Sequence, residues 1–150
     1  MIELVQGDIL GATAEAIVNA VNTVGVMGKG LALQFARAFP EMLAEYKRAC
    51  KAGEVQPGRM HIYRLPGPAW PQYVINFPTK RHWRDRSQIE DIADGLDALA
   101  NAIQRLGIKS IAIPALGCGL GGLKWSEVLP LIETRLGDLQ DVRILVYEPG

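Results

Sequence analysis

The chain has 150 residues, of which 49% are hydrophobic and 21% charged, and 16 basic side chains balance 16 acidic ones. This length and composition predict one soluble globular domain with a substantial core. A net charge of zero leaves only a local basic patch to attract nucleic acid. Cys50 and Cys118 are too few for a disulfide framework, and there is no signal peptide or membrane-length apolar run. We therefore expect a cytoplasmic setting without membrane contact.

Strand and helix patterns alternate along the chain. Apolar runs predict strands at residues 2–6, 16–21, 59–65, 72–77, 109–114 and 142–147. Helical spacing predicts helices over residues 31–39, 41–51, 89–106 and 125–136, the first ended or restarted by Pro40. Gly53 and Gly107 are expected to end the second and third helices, and Ser87-Gln-Ile-Glu90 has the form of a capping box. This order predicts an α/β fold: a three-layer α/β/α sandwich with a central mixed, largely parallel sheet.

Two glycine-rich loops each follow an apolar strand and precede a helix. The first carries glycines at positions 25, 28 and 30, and the second is Gly117-Cys-Gly-Leu-Gly-Gly122. Glycines allow a ligand to approach the backbone, and a helix N-terminus favours an anion, so we expect a cleft for a diphosphate. The first loop is not a Walker A motif, because its spacer is short and Gly30 replaces the magnesium-binding hydroxyl residue. A turn that needs glycine only for its geometry and a Rossmann site at the second loop remain alternatives.

A basic and aromatic segment, Lys80-Arg-His-Trp-Arg-Asp-Arg86, follows the fourth predicted strand. Cations that follow phosphates and flat rings that stack on bases are typical of single-stranded nucleic acid sites. An ordinary solvated loop with a partly buried Trp83 is the alternative. No His, Cys, Asp or Glu cluster has metal-ligand spacing, so we expect neither a metal nor a cofactor. A Cys118–His dyad is less plausible than Cys118 as a small residue beside a ligand.

Several motifs stand together in the order found in one family. Gly7-Asp8-Ile9, Asn19-Ala-Val-Asn22, Gly28-Lys29-Gly30 and Ile113–Leu120 resemble a macrodomain, and the resemblance covers the whole chain. Met27–Leu33 and Asn76-Phe-Pro-Thr-Lys80 are similar to the DarG branch, antitoxins that remove ADP-ribose placed on DNA thymidines by a DarT toxin. The resemblance implies that residues 1–150 form a single macrodomain of a longer protein, with a further C-terminal region. Its implied partners are ADP-ribose, ADP-ribosylated single-stranded DNA and, as a further candidate, a DarT-like toxin.

The resemblance also implies roles for individual residues. Lys80 matches the catalytic lysine, and Asn22 matches the side chain that positions the distal ribose. The alternative interpretation of Asn22 is an asparagine that only closes a turn. Asp8 would accept a hydrogen bond from the adenine amine beside Ile9, or would only cap a turn. The other implied ADP-ribose contacts are Met27, Gly28, Lys29, Gly30, Thr79, Gly117, Cys118, Gly119, Leu120, Gly121 and Gly122. The expected DNA contacts are Arg81, His82, Trp83, Arg84 and Arg86.

Two chemical roles are open for Lys80. A neutral amine could form a Schiff base with the ring-opened ribose, as in the related human terminal ADP-ribose protein glycohydrolase, or a cationic Lys80 could stabilise developing charge. That human relative has an aspartate where this chain has Gly121, so a mechanism that needs the acid cannot operate unchanged. The alternative functions are a reader that binds ADP-ribose without turnover, and a hydrolase of ADP-ribosylated protein carboxylates.

Overall fold

The computed structural model describes all 150 residues and orders them as six strands and four α-helices. The strands are β1 (Ile2–Val5), β2 (Ala16–Val21), β3 (His61–Arg64), β4 (Tyr73–Pro78), β5 (Ser110–Ile113) and β6 (Arg143–Tyr147). The helices are α1 (Gly30–Ala38), α2 (Pro40–Lys51), α3 (Ile89–Leu106) and α4 (Trp125–Leu136), and a 3-10 turn spans Ile9–Gly11. Every predicted strand and helix is present, with ends within two residues of those expected.

The six strands form one sheet in the order β1-β6-β5-β2-β4-β3. All neighbouring pairs are parallel except β3 and β4, which form an antiparallel pair. The mixed, largely parallel sheet is therefore confirmed. Because five strands point the same way, the segments that follow Val5, Val21, Pro78, Ile113 and Tyr147 leave the sheet at one edge, where open α/β sheets bind ligands.

Both faces of the sheet are covered by helices. On β4, Val74 packs into the cluster under α1 and α2, whereas Ile75 and Phe77 pack into the cluster under α3 and α4. Strands that are buried on both faces need apolar residues at nearly every position, which explains why β2 and β4 have no polar alternation. The three-layer sandwich is confirmed. None of its helices combines the length and apolar character that a membrane crossing requires.

Helix ends follow the sequence signals in most places. Pro40 is the first residue of α2, two residues after α1 ends. Gly53, the residue after the C-cap of α2, has a positive φ of 74°. Gly107, the C-cap of α3, has a positive φ of 66°. Both glycines therefore supply the left-handed conformation with which many helices end.

The predicted capping box at the start of α3 is wrong. The N-cap of α3 is Gln88, and no side chain caps the helix. Ser87 instead donates its N–H to the carbonyl of Gly121 at 2.9 Å, and its buried Oγ has no hydrogen-bond partner. The tertiary contact of Ser87 with the second glycine loop therefore replaces the predicted capping interaction, although the helix begins at Ile89 as expected.

Candidate functional site

A cavity of about 350 Å³ lies at the carboxyl edge of the sheet, where the segments after β1, β5 and β6 meet α1. Asp8 and Ile9 line it, as the resemblance implies for an adenine site. Oδ1 of Asp8 accepts the N–H of Leu10 at 3.0 Å and caps the 3-10 turn, while Oδ2 remains for a ligand donor. Both proposed roles of Asp8, turn cap and ligand contact, are thus compatible.

Sequence reasoning missed part of this cavity wall. The additional lining residues are Gly7, Leu31, Gln34, Pro114, Ala115, Tyr147 and Glu148. Leu31 and Gln34 are one turn apart on α1, and Tyr147 and Glu148 lie at the end of the last parallel strand. Their positions after a glycine loop and at a parallel strand end were the available signals. Small-molecule sites commonly combine apolar walls with a few polar groups in cavities of this order of size.

The amide of Asn22 organises the first glycine loop. Its Nδ2 donates to the carbonyl of Val26 at 2.7 Å, and its Oδ1 accepts the N–H groups of Val24 and Val26 at 3.1 and 3.3 Å. The hydroxyl of Tyr46 lies 2.8 Å from the same Oδ1. Asn22 therefore closes the turn, and its Nδ2 retains one N–H that these contacts do not use.

Two buried amides, those of Asn19 and Asn76, stabilise the first glycine loop through Met27. Asn19 donates from Nδ2 to Oδ1 of Asn76 at 3.2 Å and lies 3.7 Å from the sulfur of Met27. Asn76 in turn places its Nδ2 3.0 Å from Nδ1 of His61. Burial lowers the pKa of His61, which favours the neutral ring that can accept from Asn76. Met27 is thereby fixed inside the loop, whereas residues 28–30 stay exposed.

The two glycine loops approach one another. A Cβ on Gly30, whose φ is +58°, would lie 3.7 Å from Cδ1 of Leu120 in the second loop. Leu120 is 66% exposed, so its apolar side chain stands at the opening between the loops. The first N–H groups of α1 have no side-chain cap, because the N-cap residue Lys29 makes no side-chain bond to them. Backbone donors and a positive helix end can bind a diphosphate here.

Gly121 has no room for a side chain. A Cβ there would overlap Oγ of Ser87 and would lie 2.5 Å from the carbonyl oxygen of Gly117. At Gly119 in the same loop a Cβ would meet nothing within 4 Å. The backbone conformation of this loop therefore excludes an aspartate at position 121. Cys118 is half-buried, its thiol donates to the carbonyl of Leu116 at 3.6 Å, and burial raises its pKa.

Lys80 lies two residues beyond β4, next to the first glycine loop. Thr79 and Lys80 donate their N–H groups to the carbonyl of Val21 at 2.8 and 3.3 Å, which extends the β4–β2 contact past the end of β4. Nζ of Lys80 reaches the carbonyl of Trp83 at 3.4 Å, and the side chain is half-buried. Lys80 is thus fixed at its backbone, directly after a strand that ends at the carboxyl edge of the sheet.

The basic segment, residues 80–86, is connected to both glycine loops. Thr23 donates its N–H and hydroxyl to the carbonyl of Arg81 at 3.4 and 2.5 Å. The guanidinium of Arg81 pairs with buried Asp91 through two contacts of 3.3 Å, which raises the pKa of Arg81. At its other end, Arg86 donates to the carbonyl of Gly122 at 3.4 Å.

The middle of the basic segment remains available to a ligand. Trp83 is 45% exposed, and the guanidinium carbon of Arg84 lies 4.8 Å from the Trp83 ring centroid. The His82 ring lies 5.1 Å from the same indole, and its Nδ1 accepts the N–H of Arg84 at 3.1 Å. This arrangement exposes a flat ring beside cations, which is the combination that binds unpaired bases.

No group of three or more His, Cys, Asp or Glu side chains is placed to share a metal ion. Cys118 has no histidine among its hydrogen-bond partners, and His61 is bonded to Asn76 instead. The chemical groups at the carboxyl edge therefore include Lys80, the Asn22 amide, backbone donors and the carboxylates of Asp8 and Glu148. Such a set can bind a nucleotide diphosphate and stabilise charge at a sugar carbon.

Known proteins share this sequence and fold. The macro domain family matches residues 18–132. The DNA ADP-ribosyl glycohydrolase of Thermus aquaticus is 51% identical over 149 residues, covering 99% of this chain and 41% of that protein. The solved macrodomain of Thermus aquaticus DarG has a TM-score of 0.96, with 99% of both chains covered.

Two further solved structures are also similar. The macrodomain of Mycobacterium tuberculosis DarG has a TM-score of 0.98 at 47% identity, covering 100% of this chain and 99% of that one. Thermosipho africanus DarTG, solved in complex with ADP-ribose, has a TM-score of 0.92 at 39% identity and covers 99% of this chain and 41% of that chain. This chain spans about two-fifths of the length of the DNA ADP-ribosyl glycohydrolases it matches. The family match covers most of the sheet and helices described above, and the chain belongs to the macro domain family.

Proposed function

We propose that this macrodomain hydrolyses the bond between ADP-ribose and a thymidine base in single-stranded DNA, and so reverses the action of a DNA ADP-ribosyltransferase toxin. The observation that carries the proposal is 51% identity over the whole chain to a protein named DNA ADP-ribosyl glycohydrolase. The similar DarTG structure, which was solved in complex with ADP-ribose, supports the same ligand. A DarT-like toxin is therefore also a proposed partner.

In this proposal the cavity at Asp8 and Ile9 binds the adenine, and the facing glycine loops bind the diphosphate. The strand order supports this arrangement, because β5 and β2, which precede the two loops, lie between β1 and β4 in the sheet. The distal ribose then lies near Asn22, whose spare N–H can bond a sugar hydroxyl. Lys80, just beyond β4, would lie beside the ribose C1 atom.

The proposed reaction breaks the glycosidic bond between ribose C1 and a thymine nitrogen. Water supplies the hydroxyl that remains on C1 and the proton that returns to the nitrogen. Lys80 would act either as a cation that stabilises the charge developing during cleavage, or as an amine that forms a Schiff base with the opened ribose. Because position 121 is a glycine whose Cβ position is blocked, neither route uses an acid at position 121.

The exposed Trp83 and Arg84 favour DNA over a protein carboxylate as the carrier of ADP-ribose. A modified thymine must leave any duplex stack before it reaches the cleft, so a single strand is the natural substrate. A cytoplasmic location is part of the proposal, because its substrate is intracellular DNA and because Cys50 and Cys118 are free thiols. We also propose that these residues are one domain of a longer protein, as the two-fifths coverage of the relatives suggests.

The test is release of ADP-ribose from a single-stranded oligonucleotide with one ADP-ribosyl-thymidine, by wild type and Lys80→Ala. Binding of free ADP-ribose is measured in parallel by calorimetry. We expect release by wild type, a loss of at least about 100-fold in kcat for Lys80→Ala, and retained ADP-ribose binding.

Other outcomes would select a different function. Tight ADP-ribose binding without release from DNA by either protein would indicate a reader module. Release from an ADP-ribosylated protein carboxylate, but not from the oligonucleotide, would indicate the protein hydrolase instead. Equal release by wild type and Lys80→Ala would refute the role of Lys80.

A further inference from the structure

A second depression, of about 770 Å³, lies between the start of the first glycine loop and the last turns of α2. Its lining residues are Thr23, Val24, Gly25, Lys47, Arg48, Cys50 and Lys51. The loop rests directly on the helix, since a Cβ on Gly25 would lie 3.7 Å from Cβ of Cys50 and 3.9 Å from Cγ of Lys47. The sequence patterns assign no function to any lysine of α2, and the cleft for ADP-ribose does not include them.

The charges of this depression come from two lysines. Lys47 and Lys51 are exposed, stand four residues apart on one helical face, and take part in none of the five ion pairs of the chain. Arg48 is different, because Glu45 and Glu54 bind it at 2.6 and 3.1 Å. Lys51 can also interact with the final carbonyls of α2. Lys47 lies a full turn earlier, so the helix end does not account for it.

The depression adjoins the basic segment at Thr23. Thr23 lines the depression and donates both its N–H and its hydroxyl to the carbonyl of Arg81. Lys80 immediately precedes this contact. A DNA strand that runs from Lys80 past Arg81 to Thr23 would therefore reach the depression that contains the two lysines.

We propose that the sugar-phosphate backbone of single-stranded DNA next to the modified thymidine binds in this depression, with Lys47 and Lys51 contacting its phosphates. The inference rests on the proposed function and adds a DNA subsite to it. A volume of about 770 Å³ is within the range of sites that accept groups of nucleotide size. This arrangement does not rely on Arg81 for phosphate binding, because Asp91 already engages its guanidinium.

The test compares Lys80→Ala with Lys80→Ala carrying Lys47→Gln and Lys51→Gln. The probe is a fluorescent single-stranded oligonucleotide with a central ADP-ribosyl-thymidine, which the Lys80→Ala background should leave intact. The matched control is Lys109→Gln, because Lys109 is exposed, takes part in no ion pair and directly precedes β5, at the opposite edge of the sheet. Anisotropy gives Kd at several salt concentrations, and thermal unfolding verifies that each variant is folded.

Each phosphate contact with single-stranded DNA contributes about 0.7 to the slope of log K against log salt. Loss of two contacts should make the slope shallower by about 1.4, which corresponds to roughly tenfold weaker binding at about 0.15 M salt. Binding of free ADP-ribose should not change, and Lys109→Gln should keep the parental slope. In a protein that keeps Lys80, the substitutions Lys47→Gln and Lys51→Gln should raise the KM for the oligonucleotide and leave kcat unchanged.

If adding Lys47→Gln and Lys51→Gln leaves the Kd and the salt slope of Lys80→Ala unchanged, the inference is overturned. The depression would then be a candidate site for a protein partner. An equal loss of free ADP-ribose binding would also overturn it, because the lysines would then act on the cleft itself. Failure of wild type to release ADP-ribose refutes the proposed function separately, since the comparison of Kd values does not require turnover.

Discussion

Gly121→Ala tests how tightly the second glycine loop is held against the start of α3. The added methyl would overlap Oγ of Ser87 and would lie 2.5 Å from the carbonyl oxygen of Gly117 and 2.9 Å from its carbonyl carbon. A serine hydroxyl can rotate away, but the Gly117 backbone cannot, because its carbonyl also accepts the N–H of Leu123 at 2.9 Å. Overpacking of this kind typically costs about 1–3 kcal/mol, and backbone contacts place this site near the upper value.

The assay is urea unfolding of wild type, Gly121→Ala and the matched control Gly119→Ala. Gly119 is in the same loop, and a Cβ there would meet no atom within 4 Å, so its substitution should change the free energy of unfolding by less than about 0.5 kcal/mol. Gly121→Ala should lower it by about 2–3 kcal/mol. Equal stabilities of the two variants would refute the reasoning, because the loop would then have space or freedom that the structure does not show.

Two further predictions concern polar contacts beside the cleft. Asp91 holds Arg81, the residue that follows Lys80, through an ion pair of 3.3 Å. Asp91→Asn weakens this pair and should let Lys80 move, so kcat on the ADP-ribosylated oligonucleotide should fall about tenfold, while the Kd for free ADP-ribose stays the same. Steady-state kinetics and calorimetry measure the two quantities, and a parallel loss of both would contradict this positioning role of Asp91. Burial lowers the pKa of His61 below 6.5, so the unfolded state binds more protons in mildly acidic solution and the free energy of unfolding should fall there, by at most about 1.4 kcal/mol for each pH unit. His61→Gln should remove that part of the pH dependence in urea titrations, and an identical dependence in the variant would contradict it.

Local sequence patterns were sufficient to predict the strands, the helices and the edge of the sheet at which the candidate site lies. Apolar runs marked β2 and β4 because both faces of these strands are buried. Their parallel pairing then brings Asn22 and Lys80 to one edge, as the order of strands and loops predicts. Glycine loops after strands are likewise visible in sequence, because the positive φ values at Gly30 and Gly117 favour that residue.

Long-range pairing could not be predicted from the same patterns. The Ser87 signal for a capping box failed because Gly121, distant in sequence, binds the Ser87 N–H. The spacing within the basic segment made Arg81 equivalent to Arg84, and only the fold reveals that Asp91 engages Arg81. These contacts depend on how α3 packs against the loops, which no short sequence window contains.

The depression at α2 is a further example. Lys47 and Lys51 have the spacing of an ordinary solvated helix face, for which sequence alone indicates no function. Their relevance arises from the contact of Gly25 with α2 and from the bond between Thr23 and Arg81. Both contacts join segments that are far apart in the chain.

The most direct test of the central claim is the mass of the oligonucleotide left after wild type acts on ADP-ribosylated single-stranded DNA. Cleavage between ribose C1 and the base predicts an oligonucleotide with the mass of unmodified thymidine at that position, together with free ADP-ribose. An oligonucleotide that keeps a ribose phosphate would show cleavage at the diphosphate instead. Such a product, or an unchanged mass after prolonged incubation with folded protein, would contradict the account.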